Sequence, residues 1–192
     1  FENRFPPLPL ESEFKLPLID NGWCFYSIDT ISRLRYGSDG LKCKLGDKLS
    51  TTKGILFGDS YAGQYEPLWD IAGRSAKLSI NAVTTNWCYP SLNDEFTGPQ
   101  SSRAFQQCLF NRKYLKENIS NYDFVIFAGS WGNILKQGKF RGVLDAIDHA
   151  SKNVRLVVIM PSPKAFDTNP LSHYKMSVWR KSNFDIKKFG TD

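Results

Sequence analysis

The chain has no long hydrophobic run. None of its 192 residues belongs to an apolar stretch near the ~18 residues that a membrane-spanning helix needs. It also lacks an initiator methionine and a signal-peptide core, so we expect an excised or processed piece of a longer protein. Histidine is scarce, with two in the whole sequence. A mechanism that needs an imidazole base therefore has two candidates within this chain.

The four cysteines are not spaced as metal ligands, because there is no C-x-x-C motif and no cysteine-histidine cluster. We therefore expect no metal site. If all four are oxidised, three pairings exist, and the local ones are Cys24 with Cys43 and Cys88 with Cys108. Each would close a loop of about 20 residues, contribute about 3 kcal/mol and indicate an oxidising compartment such as the periplasm. Four buried free thiols are the alternative.

The sequence shows no nucleic-acid-binding motif, although its net charge is +6 and its pI is about 9.1. The lysines are scattered, with local density at residues 180–181 and 187–188. This pattern is typical of a solvated face, and attraction to anionic glycans or lipid headgroups is the functional alternative. Nucleic acid is not expected as a partner.

Repeats and low-complexity tracts are absent, and 41% hydrophobic residues suffice for one core. The proline-rich opening at residues 6–9, followed by Pro17, favours extended backbone. We predict a linker or strap over residues 1–22 and a single domain over residues 23–192.

Strand and helix patterns alternate along that domain. Strands are predicted at residues 55–57, 77–83, 124–128 and 154–160. Helices are predicted after Ser60, after a cap at Ser101 or Ser102, and over residues 141–152. Such alternation predicts an α/β fold with a mostly parallel sheet. Ligands then bind beyond the carboxyl ends of the strands, where the loops 84–90, 129–133 and 161–173 are expected.

Ser60 occupies the most informative position. The apolar run Ile55-Leu56-Phe57 breaks at Gly58, and Asp59-Ser60 then opens a helix predicted to carry Tyr65, Leu68, Trp69 and Ala72 on one face. A serine at this junction has its N–H at a helix N-terminus, where negative charge is favoured. The G-x-S-x-G elbow of α/β-hydrolases is not met, since Ala62 replaces its second glycine. Asp59 is interpreted as a helix cap, and a plain N-cap is the alternative for Ser60.

The motif Gly58-Asp59-Ser60 resembles block I of the SGNH (GDSL-type) hydrolases. The resemblance extends to further segments: Trp23-Cys24-Phe25, Cys43-Lys44-Leu45-Gly46, Cys88-Tyr89-Pro90, Cys108 and residues 123–128. This series is similar to the extracytoplasmic SGNH domains fused to bacterial acyltransferase-3 proteins, which O-acetylate surface polysaccharides. It covers roughly residues 22–163. The resemblance implies a three-layer α/β/α fold and Ser60 as nucleophile.

The resemblance also implies an oxyanion hole and a histidine base. Asn86, Trp131 and Asn133 are the candidate donors or substrate contacts, because the family's block II glycine and block III asparagine are missing. The family's Asp-x-x-His motif is also missing. His173, with Asp167 as its acid, is one candidate base; residues beyond this sequence, or a domain that binds without catalysing, are the alternatives. His149 is interpreted as a surface or helix-cap residue.

The expected function is acetyl transfer to a sugar of a cell-surface polysaccharide or lipopolysaccharide, at the periplasmic or extracellular face of a bacterial membrane. No cofactor is expected, since the membrane-embedded acyltransferase domain upstream would deliver the acyl donor to a glycan acceptor. Trp87 and Trp131 could stack on sugar rings, with ordinary packing as the alternative. A glycan-binding accessory domain and a free-standing secreted esterase are the other functions considered.

Overall fold

The computed structural model describes residues 15–163 and 168–184. The described residues divide into two compact units, a larger one of residues 17–162 and a smaller one that includes residues 15–16, 163 and 168–184. The proline-rich segment 6–9 lies outside the described residues, so the linker predicted over residues 1–22 stays a prediction. Pro17 is described, and its carbonyl accepts a hydrogen bond from the Phe25 N–H at 3.2 Å.

A five-stranded sheet forms the centre of the larger unit. In chain order its strands are β1 (Lys44–Gly46), β2 (Lys53–Gly58), β3 (Ser79–Thr84), β4 (Phe124–Ala128) and β5 (Leu156–Ile159). Their spatial order is β1-β3-β2-β4-β5, with β1 antiparallel to β3 and the other neighbours parallel. The expected α/β fold with a mostly parallel sheet is confirmed. β2 and β4 are central and apolar, as strands covered on both faces must be.

The helices of the described residues are α1 (Ser60–Gln64), α2 (Glu66–Ala76), α3 (Arg103–Asn118), α4 (Trp131–Lys136), α5 (Phe140–Ser151) and α6 (Pro170–Trp179). Short 3-10 turns cover Ile19–Asn21, Ser38–Leu41 and Ile119–Asn121. α6 belongs to the smaller unit. None of these helices is both long and apolar enough to cross a membrane.

Several elements differ from the prediction. The single helix expected after Ser60 is two helices, because Pro67 has no N–H to continue the ladder from α1 and lies in the first turn of α2 instead. Leu68, placed on the apolar face, is 51% exposed. The loops expected at residues 129–133 and 161–173 contain the start of α4 and of α6.

Hydrophobic clusters cover both faces of the sheet. On one face Ile55 and Phe57 pack with residues of α3 and α5, such as Cys108 and Ala146. On the other face Leu56 packs with residues of α1 and α2. These clusters make the three-layer α/β/α arrangement that was expected.

Two disulfides join loops to this frame. Cys24 is bonded to Cys43, and Cys88 is bonded to Cys108. The first holds the entering segment beside β1, and the second anchors the β3–α3 connection to α3. These are the two local pairings considered from the sequence.

Candidate functional site

Ser60 lies at the centre of the sheet's carboxyl edge. It is the first residue of α1, two residues after Gly58, the last residue of β2. Gly58 pairs with Thr84 of β3 on one side and with Ala128 of β4 on the other. A Cβ at Gly58 would overlap the Ala128 carbonyl oxygen, so glycine is required where the serine turn meets β4.

Asp59 connects the serine turn to the neighbouring loop. Its Oδ1 accepts from the Tyr61 N–H at 2.9 Å, as an N-cap of α1 does, and its Oδ2 accepts from the Ser130 N–H at 3.1 Å. The residue is 4% exposed, and burial raises the pKa of its carboxyl to about 6. The cap was expected from the sequence, whereas the bridge to Ser130 was not.

The hydroxyl of the half-buried Ser60 makes no hydrogen bond within the described residues. Its backbone N–H also has no acceptor there, because Asp59 caps Tyr61 instead. A free hydroxyl at this position can attack a carbonyl carbon, and a free N–H at the helix N-terminus can stabilise the resulting oxyanion.

The Asn86 side chain is bound to a different segment. Its Nδ2 donates to Ser27 Oγ at 3.1 Å, and its Oδ1 accepts from the Asp29 N–H at 3.3 Å. The Asn86 backbone N–H faces the Tyr26 carbonyl, across the parallel bridge that Tyr26 makes with Thr85. Asn86 directly follows Thr85, whose N–H donates to the Gly58 carbonyl at 3.3 Å. Asn86 therefore joins the end of β3 to the segment at residues 26–29.

Trp131 and Asn133 differ in how they are held. The Trp131 indole N–H donates to the Met160 carbonyl at 2.7 Å, and its backbone N–H lies 3.1 Å from Ser162 Oγ. Asn133 is exposed on α4 and accepts from Gln137 Nε2 at 3.3 Å. The indole is therefore engaged in fixing the β5 loop, and the Asn133 amide nitrogen is on the surface.

The β5 loop is tied to the other loops of the edge. Tyr65 OH donates to the Pro161 carbonyl at 2.8 Å, and Ser162 Oγ donates to the Gly129 carbonyl at 2.9 Å. Three consecutive strand ends are thus cross-linked around Ser60 by side chains.

Trp87 is packed rather than presented to solvent. Its ring lies against Gly98, where a Cβ would come within 2.5 Å of the indole, and meets the Phe96 ring edge-on with centroids 6.2 Å apart. This packing favours the structural interpretation of Trp87 over sugar stacking.

The two histidines lie in different units. His149 is in the last turn of α5, which leads into the amino end of β5, so it is at the opposite edge of the parallel sheet from Ser60. His173 is in α6, within the smaller unit, and Asp167 lies outside the described residues. The roles of His173 as base and of Asp167 as acid stay predictions.

Glu66 is a buried carboxylate that the sequence analysis did not single out. Its Oε2 accepts from the N–H groups of Cys24 and Phe25 at 2.7 and 2.9 Å, and its Oε1 is 2.9 Å from Thr84 Oγ1. The side chain is fully buried, and this burial raises its pKa to about 8. No signal in the sequence marks it, because Cys24 and Phe25 lie about 40 residues upstream and Thr84 lies 18 residues downstream.

Among the described residues no cluster of three His, Cys, Asp or Glu side chains could hold a metal ion. The groups available at this edge are therefore a hydroxyl, a backbone N–H donor and the Asp59 carboxyl.

Comparison with known proteins agrees with this architecture. The structure is similar to that of the periplasmic domain of a lipopolysaccharide acetyltransferase from Salmonella ser. Paratyphi A, with a TM-score of 0.51 and 16% sequence identity. The match covers 86% of this chain and 62% of the other, so this chain spans less than two thirds of that protein's length. No curated protein gives a significant sequence match.

A family model, described as the SGNH domain fused to AT3 domains, matches residues 24–188. This range includes the serine turn, both disulfides and every described strand and helix. The chain belongs to the family of SGNH domains that are fused to AT3 domains.

Proposed function

We propose that this domain is an extracytoplasmic O-acyltransferase that uses Ser60 to transfer an acetyl group to a sugar hydroxyl of a cell-surface polysaccharide or lipopolysaccharide. The observation that carries the proposal is the unbonded Ser60 hydroxyl beside its own unbonded N–H, at the central strand end of a family member. This pairing places a nucleophile and an oxyanion donor in one residue.

The reaction has two balanced steps. In the first, Ser60 Oγ bonds to the acyl carbon, a base takes the hydroxyl proton, and the donor's acyl bond breaks so that the donor leaves with a proton. In the second, the sugar hydroxyl attacks the acyl carbon and its proton passes to the base. The bond from the acyl carbon to Ser60 Oγ then breaks, and the base returns the proton to Ser60 Oγ. Water in place of the sugar gives hydrolysis, so an acetyl ester serves as a simple assay substrate.

A backbone donor fits the oxyanion best. The Ser60 N–H, directly after the turn that ends β2, has no acceptor within the described residues. The Asn133 Nδ2 is a candidate side-chain donor, since Gln137 occupies the Asn133 Oδ1 and not the nitrogen. Losing one such donor typically costs about 3 kcal/mol in the transition state.

The family supports the cellular location and the source of the acyl group that we propose. A fused AT3 domain would supply the acyl group from the membrane, and two disulfides suit an oxidising compartment. The described residues hold no candidate metal cluster, and the two steps need none. The similar Salmonella domain is named as part of a lipopolysaccharide acetyltransferase, which supports a glycan as acceptor.

The test is turnover of p-nitrophenyl acetate by the wild type and its Ser60→Ala variant. We expect the variant to lose the enzymatic rate, because no other group would form the acyl intermediate. His173→Gln tests the base, with His149→Gln as the matched control at the opposite edge of the sheet. Equal rates in the wild type and Ser60→Ala would contradict the proposal and favour a glycan-binding domain without catalysis.

A further inference from the structure

A second concave site lies between the segment that ends at Tyr36 and the start of α3. It is an open pocket of about 400 Å³, with Ile28 and Leu34 as its apolar floor. Pockets of this size hold small organic ligands such as one or two sugar units. None of the residues of the serine turn lines this pocket.

This pocket is at the same edge of the sheet as Ser60. Tyr26 forms a parallel bridge with Thr85, directly after β3, so the segment that follows Tyr26 continues past the carboxyl edge. The Asn86 amide holds that segment at Ser27 and Asp29. Ser102, the N-cap of α3, donates to the Asp29 carboxylate at 2.6 Å. The pocket is therefore joined to the serine turn through the end of β3.

The polar groups of the pocket favour an anion. Arg35 and Arg103 both line it, and none of the described lining residues is acidic. The Arg103 guanidinium is occupied by the backbone carbonyls of residues 28, 31, 32 and 34, so it is a fixed part of the wall. The exposed Arg35 guanidinium makes no ion pair or side-chain hydrogen bond within the described residues. A free guanidinium can bind a carboxylate or phosphate through two hydrogen bonds.

Tyr36 supplies an aromatic surface beside that charge. It is 66% exposed, which is unusual for a ring that lines a pocket. Gln100 and Gln106 add exposed amides that can donate to and accept from hydroxyl groups. An exposed ring, amides and a free guanidinium match a sugar that carries a negative charge.

We infer that this pocket binds an acidic sugar unit, carrying a carboxylate or a phosphate, of the glycan that accepts the acyl group. The inference rests on the proposed function for the identity of the glycan as acceptor. It makes Arg35 and Tyr36 specificity residues that act at a distance from the reacting atoms.

Calorimetric titration tests the inference with four probes: trigalacturonic acid, glucose 6-phosphate, neutral maltotriose and inorganic phosphate. We expect at least one of the two acidic sugars to bind about tenfold more tightly than maltotriose and inorganic phosphate. The acidic sugar that binds identifies the carboxylate or the phosphate as the recognised group. No preference over maltotriose, or equal binding of inorganic phosphate, would overturn an acidic-sugar site.

Variants locate the binding. Arg35→Gln and Tyr36→Ala are expected to weaken the acidic sugar about tenfold, whereas Tyr36→Phe keeps the ring and the affinity. Arg141→Gln and Trp179→Ala are matched controls, since both residues are exposed and lie outside the pocket. Unchanged binding in both pocket variants would place the sugar elsewhere and overturn the inference.

Ser60→Ala separates this inference from the proposed function. The variant is expected to bind the acidic sugar like the wild type while losing acetyl-ester turnover. If binding depends on Arg35 but the wild type shows no Ser60-dependent turnover, the result supports the pocket and contradicts the proposed catalysis. If turnover depends on Ser60 but binding does not depend on Arg35, the result contradicts the pocket and supports the proposed catalysis.

Discussion

The Asp59 carboxylate holds the backbone of Ser130, with Oδ2 3.1 Å from the Ser130 nitrogen. Its other oxygen caps α1 at Tyr61, so one buried side chain fixes the turns that follow β2 and β4. A Cβ added at Gly129 would be 3.5 Å from the same Oδ2, so the loop after β4 passes close to this carboxylate. The position of Ser60 is therefore coupled to the neighbouring loop.

Asp59→Asn is expected to lower the kcat of Ser60-dependent ester turnover about tenfold or more, with little change in KM. Asparagine offers one acceptor oxygen where aspartate offers two, so either Tyr61 or Ser130 loses its acceptor. An unsatisfied buried N–H costs about 1–3 kcal/mol. Steady-state kinetics on p-nitrophenyl acetate measure the effect.

Asp148→Asn is the control for this change, because Asp148 is an exposed partner of Lys152 in α5. It should leave both kinetic constants unchanged. Wild-type kinetics in Asp59→Asn would mean that the bridge to Ser130 does not position the nucleophile.

The two buried carboxyl groups should give the protein an unusual dependence of stability on pH. Burial raises the pKa of Asp59 to about 6 and that of Glu66 to about 8, both above their values in the unfolded chain. Between the unfolded and folded pKa values, the folded state therefore binds more protons than the unfolded state. The free energy of unfolding must then fall as the pH rises, from about 4 to 6 for Asp59 and from about 4.5 to 8 for Glu66.

Glu66→Gln is expected to flatten that decline between pH 5 and 8, the window given by the Glu66 pKa. The neutral amide keeps an acceptor for the Cys24 and Phe25 N–H groups and can donate to Thr84 Oγ1. At pH 8 and above the variant should be the more stable protein, by at most about 5 kcal/mol. Urea unfolding over a pH series compares the two, and parallel curves would show that Glu66 does not titrate in this window.

How far the sequence predicts this structure depends on the range of the forces involved. β4 was predicted at residues 124–128 and has the same bounds, because five consecutive apolar residues suit only a strand buried on both faces. Ser102, one of the two expected caps, is the N-cap of α3, and its side chain accepts from an N–H two residues on. Local patterns of this kind are visible in one sequence.

Long-range contacts set the features that were not predicted. β1 is three residues long and depends on antiparallel pairing with β3, some 35 residues later. α4 is six residues long, too short to show a helical period. At the site the serine junction was recognised from the sequence. The partner of the Trp131 indole, however, is the Met160 carbonyl directly after β5, which no local pattern indicates.

Gly58→Ala is expected to destabilise the protein by about 3 kcal/mol or to prevent folding. The added methyl group would overlap the Ala128 carbonyl oxygen and lie 2.7 Å from the Ala62 Cβ, and packed backbone cannot move aside cheaply. Gly132→Ala is the matched control in α4, since a Cβ there has no neighbour within 4 Å. Thermal unfolding of both variants measures the difference, and equal melting temperatures would contradict the close approach of β2 and β4.

The two disulfides should be reduced in a fixed order under native conditions. Cys88 and Cys108 are both fully buried, whereas Cys43 is partly exposed beside its buried partner Cys24. Because thiol exchange requires access to a sulfur atom, a mild reductant should open the Cys24–Cys43 bond first and the Cys88–Cys108 bond only after unfolding. Timed alkylation followed by mass spectrometry gives the order, with a urea-unfolded sample as the control in which both bonds open together. Early labelling of Cys88 and Cys108 in the folded protein would mean that the β3–α3 connection opens without global unfolding.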